Sequence, residues 1–132
     1  MMHAPELLEA HLHEMLVDFA AWRALFADDA TMEFVYGASA GIKSPLHGIE
    51  AIAESVRGFL DAVSDFQVQV SKVFRIEGED AVVAEFTGSG TAIKTGRAYN
   101  QNYILYLRAE GGKIVTLREY WDATRVVAAF QP

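Results

Sequence analysis

The sequence predicts an α+β fold in which N-terminal helices pack against a curved antiparallel sheet. Up to about residue 63, apolar residues recur mostly at helical spacing, whereas from residue 66 onward they alternate with period two. Glycine-rich or polar turns separate the alternating segments. Helices followed by a consecutive meander are typical of an α+β layout with the sheet curling over the helices.

The first half of the chain predicts three helices and one strand. Pro5 and Glu6 favour a helix start. The inner face of this first helix is predicted to carry the apolar residues at helical spacing, which are Leu7, Leu8, Leu12, Met15, Leu16 and Phe19. This pattern leaves His11 and His13 largely outside. The elements predicted next are a helix over Phe19–Ala27, a strand over Thr31–Tyr36 and an amphipathic helix over Ile49–Val63.

The second half predicts a four-stranded meander. Its strands are Phe66–Ile76, Ala81–Ile93, Tyr99–Ala109 and a last strand over Lys113–Asp122. Gly88 and Gly90 lie inside the second of these strands, where they predict a bend or a bulge. The apolar tail Ala123–Phe130 predicts a final helix, and Asp122 is its expected N-cap.

Composition limits the classes of function. A chain of 132 residues predicts one domain, spanning residues 1–132. The net charge of −7 and the absence of a Lys/Arg cluster disfavour a nucleic-acid partner. The lack of cysteine excludes disulfides, thiol catalysis and cysteine-type zinc sites, and no apolar run is long enough for a membrane span. We therefore expect a cytoplasmic protein without a metal or other cofactor.

The last strand carries the main candidate for chemistry. Strict alternation places Val115, Leu117, Glu119 and Trp121 on one face and Ile114, Thr116 and Arg118 on the other. A carboxylate between Leu117 and Trp121 on an apolar face needs compensation. In a dry concave site its pKa would rise, and it could then move protons near neutral pH. The alternatives are pairing with a buried arginine or a half-solvated face.

Several motifs in order carry a family resemblance. They are Phe26–Ala30, His47–Ile52, Gly112–Val115 and Arg118–Trp121. Together they resemble the SnoaL-like branch of the nuclear-transport-factor-2-like superfamily, with similarity to the phenazine-biosynthesis A/B proteins. The resemblance implies a cone-shaped sheet wrapped around helices, one apolar pocket for a hydrophobic small molecule, and a homodimer formed through the outer face of the sheet.

The resemblance also bears on the reaction. The positions of the two acidic groups of ketosteroid isomerases hold Phe34 and Leu105 here, so that chemistry is not expected. Polyketide cyclases of the SnoaL type close rings by an aldol-type step without a cofactor. In the phenazine-biosynthesis proteins the residue that Glu119 matches is a catalytic acid/base, but Ser55 stands where they carry a pocket histidine.

By the same resemblance, Leu117, Glu119 and Trp121 line the pocket, and the neighbouring strand turns Gln101, Tyr103 and Leu105 inward. Further candidates for the lining are Trp22, Tyr36, Ser55, Phe59 and Phe86, with His47 as a loop residue or a rim group. Core packing alone would also explain the four aromatic residues among them. Tyr103 either presents a phenol near Glu119 or is a core tyrosine bonded to backbone.

Two functions remain open. The first is a cofactor-independent cyclase or isomerase in which Glu119 moves a proton and Tyr103 or Gln101 donates to the enolate. The second is a non-catalytic small-molecule-binding protein. A weaker third option is an epoxide hydrolase, which needs an Asp–Arg–Asp set that the inward positions do not supply.

Overall fold

Six strands form one sheet in the computed structural model, which describes residues 1–132. The helices are α1 (Ala4–Val17), α2 (Phe19–Arg23), α3 (Ile49–Ala62) and α4 (Ala123–Phe130), with a 3-10 turn at Gly37–Ala40. The strands are β1 (Phe26–Phe34), β2 (Leu46–His47), β3 (Val63–Arg75), β4 (Ala81–Ala92), β5 (Ala98–Glu110) and β6 (Lys113–Trp121).

The strand order is β2-β1-β6-β5-β4-β3, and the predicted meander of β3 to β6 is antiparallel throughout. The predicted fold class, an α+β cone of curved sheet around helices, is confirmed. One pair differs from an antiparallel sheet, since β1 runs parallel to β6. None of the helices combines the length and apolar content that crossing a bilayer requires.

The helix α1 is fixed to the sheet at its first turn. Leu7, Leu8 and Leu12 are buried, as the spacing predicts, whereas Leu16, predicted on the same face, is 41% exposed. The carboxylate of Asp80, in the turn between β3 and β4, accepts a hydrogen bond of 2.9 Å from the Ala4 backbone N–H. This bond is the main cause of the lowered pKa of Asp80, and the hydrogen bond with the His3 side chain is the next largest cause. A side chain distant in sequence thus caps a helix that has no cap of its own.

Four predicted boundaries were wrong. The second helix ends at Arg23 because Phe26 already pairs with Ile114 in the parallel ladder and is buried there. For the same reason β1 starts at Phe26 rather than Thr31, and it ends at Phe34. Strand β3 begins at Val63 rather than Phe66, directly after α3.

Gly88 of β4 leaves room for two aromatic rings. Strand β4 itself pairs regularly with β5, and the irregularities fall on the facing strand β3, between Ser64 and Gln67 and between Val70 and Lys72. A Cβ atom at Gly88 would lie 2.7 Å from the Phe66 ring and 2.9 Å from the Tyr103 ring. The predicted irregularity therefore exists, but it belongs to the neighbouring strand.

Replacing Gly88 with alanine should destabilise the protein by about 1–3 kcal/mol, because the new methyl group overpacks two rings. Tyr103 cannot easily yield, since its ring stacks on Phe86 with centroids 4.6 Å apart. Urea unfolding measures the change. The control is Gly58→Ala at an exposed position of α3, where no atom lies within 4 Å of the added Cβ and helix propensity should raise stability. Equal effects of the two substitutions would contradict the prediction.

The outer face of β5 carries the exposed side chains of Asn100, Asn102 and Ile104. This is the face through which a homodimer was predicted, and the dimer stays a prediction.

Candidate active site

A bulge on β6 determines which side chains of this strand face inward. Thr116 pairs with Arg108, but Ile114 pairs with Ala109, so Val115 is an extra residue. The predicted assignment of Ile114 to the outer face and Val115 to the inner face was wrong: Ile114 is fully buried and Val115 half-buried. Beyond the bulge the alternation of Leu117, Glu119 and Trp121 holds.

A cavity of about 390 Å³ lies between the inner face of the sheet and the helices. Of the twenty residues that line it, seventeen are hydrophobic. The other three are His11 on α1, Ser55 on α3 and Glu119 on β6. The cavity therefore suits an apolar ligand that carries very few polar groups.

Glu119 is the only carboxylate in this lining. Burial raises the pKa of Glu119 from 4.5 to about 7, and the neighbouring Trp121 indole offsets part of that rise. No arginine or lysine forms an ion pair with it, which removes the alternative of a buried salt bridge. Near neutral pH the carboxyl group can both accept and return a proton.

Two tyrosine phenols lie in the same cavity. The hydroxyl groups of Tyr99 and Tyr103 are 2.8 Å apart and share a hydrogen bond. Burial raises the pKa of Tyr99 to about 12 and that of Tyr103 well above its ordinary value, and the negative charge of Glu119 adds to both increases. Sequence reasoning missed Tyr99, although extending the inward series of β5 by one step from Gln101 would have included it.

His11 is the second residue that sequence reasoning missed, since it was predicted to lie outside. It is 2% exposed and borders the cavity. Its Nδ1 atom accepts a 2.8 Å hydrogen bond from the Trp22 indole, and burial lowers the pKa of His11 from 6.5 to about 4. The signal was available, because position 11 is four residues after Leu7 and four before Met15.

Six of the predicted site residues lie in the cavity wall together. They are Glu119, Tyr103, Trp121, Ser55, Phe59 and Phe86. The Tyr103 hydroxyl bonds to Tyr99 rather than to backbone. Its role beside Glu119 stays a prediction.

Three inward residues of β5 and β6 do not reach the cavity. Leu105 and Leu117 are fully buried in the packed core. Gln101 is also buried, but its amide donates to the Asp122 carbonyl at 2.9 Å and accepts from the Asp122 N–H at 3.2 Å. Gln101 thus holds the start of α4, where Asp122 caps the helix as predicted.

Three other predicted lining residues lie elsewhere. Trp22 is fully buried behind His11. Tyr36 is 54% exposed because it follows the end of β1, where alternation no longer applies, and its ring lies 6.4 Å from that of Tyr120. His47 is exposed on the edge strand β2. No three His, Asp or Glu side chains come together as metal ligands.

The family model of the SnoaL-like domain matches residues 8–117, which is most of the chain. The chain belongs to the SnoaL-like family. It is 31% identical over 130 residues to an uncharacterised PhzA/B-like protein of Pseudomonas aeruginosa, covering 97% of this chain and 90% of that relative. The predicted family and its similarity to the phenazine-biosynthesis proteins are confirmed.

Solved structures share this SnoaL-like fold. A candidate isomerase from Bacillus subtilis is 32% identical, with a TM-score of 0.85 over 96% of this chain and 91% of that one. A Mycobacterium tuberculosis protein in complex with estradiol-17beta-hemisuccinate is 18% identical, with a TM-score of 0.78 over 90% of this chain and 93% of that one. At such low identity the second likeness concerns the fold alone.

Proposed function

We propose that this SnoaL-like protein is a cofactor-independent isomerase or cyclase acting on a hydrophobic small molecule that carries a carbonyl group. The observation that carries the proposal is the single carboxyl group of Glu119 in an apolar cavity, with its pKa raised to about 7. A base with a pKa near the working pH combines a useful fraction of carboxylate with adequate proton affinity.

In the proposed reaction the Glu119 carboxylate removes a proton from the carbon next to the carbonyl group, and an enolate forms. In an isomerisation the substrate also carries a C=C bond next to the carbon that loses the proton, and the protonated Glu119 returns the proton to the far carbon of the resulting dienolate. In a ring closure the enolate carbon bonds to a second carbonyl carbon, and Glu119 protonates the resulting alkoxide. Both routes leave the enzyme unchanged and require no oxidant or cofactor.

Tyr103 is a proposed donor to the developing enolate. The Tyr99–Tyr103 pair contains two hydroxyl hydrogens and one mutual hydrogen bond, so one hydrogen is not used within the pair. A donor placed at the developing negative charge lowers the barrier. Gln101, the other donor considered above, is less suited to this role because it does not line the cavity and one of its amide hydrogens is bonded to the Asp122 carbonyl.

Glu119→Gln should slow proton transfer by about 10²–10⁴-fold, since an amide of the same shape cannot accept the proton. The measurement is exchange of the α-hydrogens of acetylnaphthalene for deuterium in D₂O, followed by proton NMR with and without protein. The control is Glu110→Gln, at an exposed position on β5. Protein-dependent exchange that is equal in wild type and Glu119→Gln would contradict the proposal.

A non-catalytic binding protein is the second candidate. The observation that favours it is that no second carboxylate accompanies Glu119 in the lining. The structural neighbour in complex with estradiol-17beta-hemisuccinate supports ligand binding within this fold. This candidate predicts that Glu119→Gln weakens ligand binding while the wild-type protein accelerates no exchange.

A further inference from the structure

The chemistry proposed for Glu119 leaves one buried polar pair unused. The Trp22 indole N–H donates to His11 Nδ1 at 2.8 Å, and both side chains are buried. An indole nitrogen can only donate a hydrogen bond. His11 Nδ1 therefore has to be the acceptor, and the imidazole is neutral with its hydrogen on Nε2.

The Nε2 atom of His11 has no partner within the protein. Arg118 Nε is the one side-chain nitrogen or oxygen that has no partner and is also closed off from open space. His11 Nε2 is therefore not closed off. Since His11 belongs to the cavity lining, its Nε2–H is open to the cavity. A donor on α1 and a carboxyl group on β6 thus border the same apolar space.

We propose that His11 is a second functional group of this site, a neutral hydrogen-bond donor that binds the carbonyl oxygen of an uncharged apolar ketone, with Trp22 as its positioning residue. This inference rests on the proposed function of the cavity. The Nε2–H would hold the carbonyl oxygen while Glu119 acts on the adjacent carbon, and the same hydrogen bond would strengthen as that oxygen becomes an enolate.

The surroundings of His11 keep the imidazole neutral. Its ring neighbours are Trp22 and Phe26, with centroids 6.2 and 6.1 Å away, and no carboxylate bonds to it. Burial among apolar groups disfavours the imidazolium form. A neutral donor supports negative charge on the ligand oxygen without delivering a proton to Glu119, so the two groups keep separate roles.

Nitrogen-15 NMR of histidine-labelled protein tests the tautomer without any ligand. The His11 signals, identified by their loss in His11→Gln, should show a protonated Nε2 and an unprotonated Nδ1. In Trp22→Phe the same signals should shift toward a mixture of both tautomers. A tryptophan that only fills space would leave the tautomer unchanged in this variant, and that result, or a protonated Nδ1 in wild type, would overturn the assignment.

Prodan, a naphthalene ketone, tests the donor role. Its emission moves to longer wavelength when its carbonyl group accepts a hydrogen bond. We expect emission at longer wavelength from the wild-type complex than from His11→Phe, and binding weakened about 3- to 10-fold in the variant. The matched control is His13→Phe, on the exposed side of the same helix. Equal emission and affinity in wild type and His11→Phe, or no binding of prodan to the wild-type cavity, would overturn the inference.

The two proposals fail in different ways. If the prodan emission differs between wild type and His11→Phe but the rate of α-hydrogen exchange is equal in wild type and Glu119→Gln, His11 is supported as a donor to the ligand and the catalytic role of Glu119 is removed. If the rate of α-hydrogen exchange falls in Glu119→Gln but the prodan emission is equal in wild type and His11→Phe, the proposed reaction is supported and the role of His11 is overturned.

Discussion

The Glu119→Gln variant should gain stability over the wild-type protein as the pH rises from 4.5 to 7. The native pKa of Glu119 is about 7, above the ordinary value of 4.5, so the native state binds this proton more tightly than the unfolded state does. That stabilisation is complete below pH 4.5 and is lost as the pH rises to 7. Glutamine does not titrate, and the expected relative gain over this range is about 3 kcal/mol.

His11→Gln should show the opposite trend. The native pKa of His11 is about 4, below the ordinary value of 6.5, so only the unfolded state takes up the proton between these values. The associated stability is complete above pH 6.5 and is lost as the pH falls to 4. The unfolding free energy of the variant should therefore rise by about 3 kcal/mol relative to that of the wild type as the pH falls through that range.

Between pH 4.5 and 6.5, Glu119 and His11 make opposite contributions to the pH dependence of the unfolding free energy of the wild-type protein. Each single variant removes one of these contributions, so the other can be measured alone. Urea unfolding at half-unit pH steps measures both differences. The controls are Glu110→Gln and His13→Gln, which make the same substitutions at exposed positions. A difference in unfolding free energy between wild type and Glu119→Gln that stays constant with pH would show that the carboxyl group is solvated.

Trp22→Ala should produce the largest loss of stability, about 3–5 kcal/mol at pH 7. The side chain is fully buried, and its ring lies 4.8 Å from that of Phe19 and 4.9 Å from that of Phe26. Truncation removes this packing and also leaves His11 Nδ1 without its donor. The shift of the urea midpoint at an unchanged m-value measures the loss.

Two further variants separate the causes of that loss. Trp22→Phe keeps most of the ring but removes the donor, so the unpartnered His11 acceptor should cost about 1–3 kcal/mol. Phe19→Ala, on the same short helix at a half-buried position, should cost less than Trp22→Ala. A loss in Trp22→Ala no larger than in Phe19→Ala would mean that Trp22 does not anchor this part of the core.

Alternation predicted the direction of side chains on the central strands well, but it carries no information about depth. Leu105, Leu117 and Glu119 all turn inward, as predicted, yet only Glu119 borders the cavity. The difference depends on which helices lie opposite each level of the sheet, and that is a property of the assembled fold. Helical spacing has the same limit, since Trp22 on α2 was a candidate for the cavity wall and is fully buried in the core.

Two other discrepancies arose from treating polarity and period as fixed rules. His11 lies within the apolar stripe of α1, but its polar side chain led to an outward assignment, since the donor that compensates its burial comes from Trp22 in another helix. Ile114 and Val115 were assigned to the wrong faces because of the bulge on β6. No glycine or proline within the strand marks that position.

The carboxyl group and the opposite wall of the cavity differ in how freely they can change. Strand β6 lies between β1 and β5, and the Glu119 carbonyl also accepts a hydrogen bond of 3.1 Å from the Val35 N–H. Met15, Ser55 and Phe59 project from helices, where one side chain can be exchanged without altering a strand register. For the proposed function, substitutions on the helices can therefore change the shape of the cavity while Glu119 keeps its position, which makes this scaffold a practical starting point for engineering new specificities.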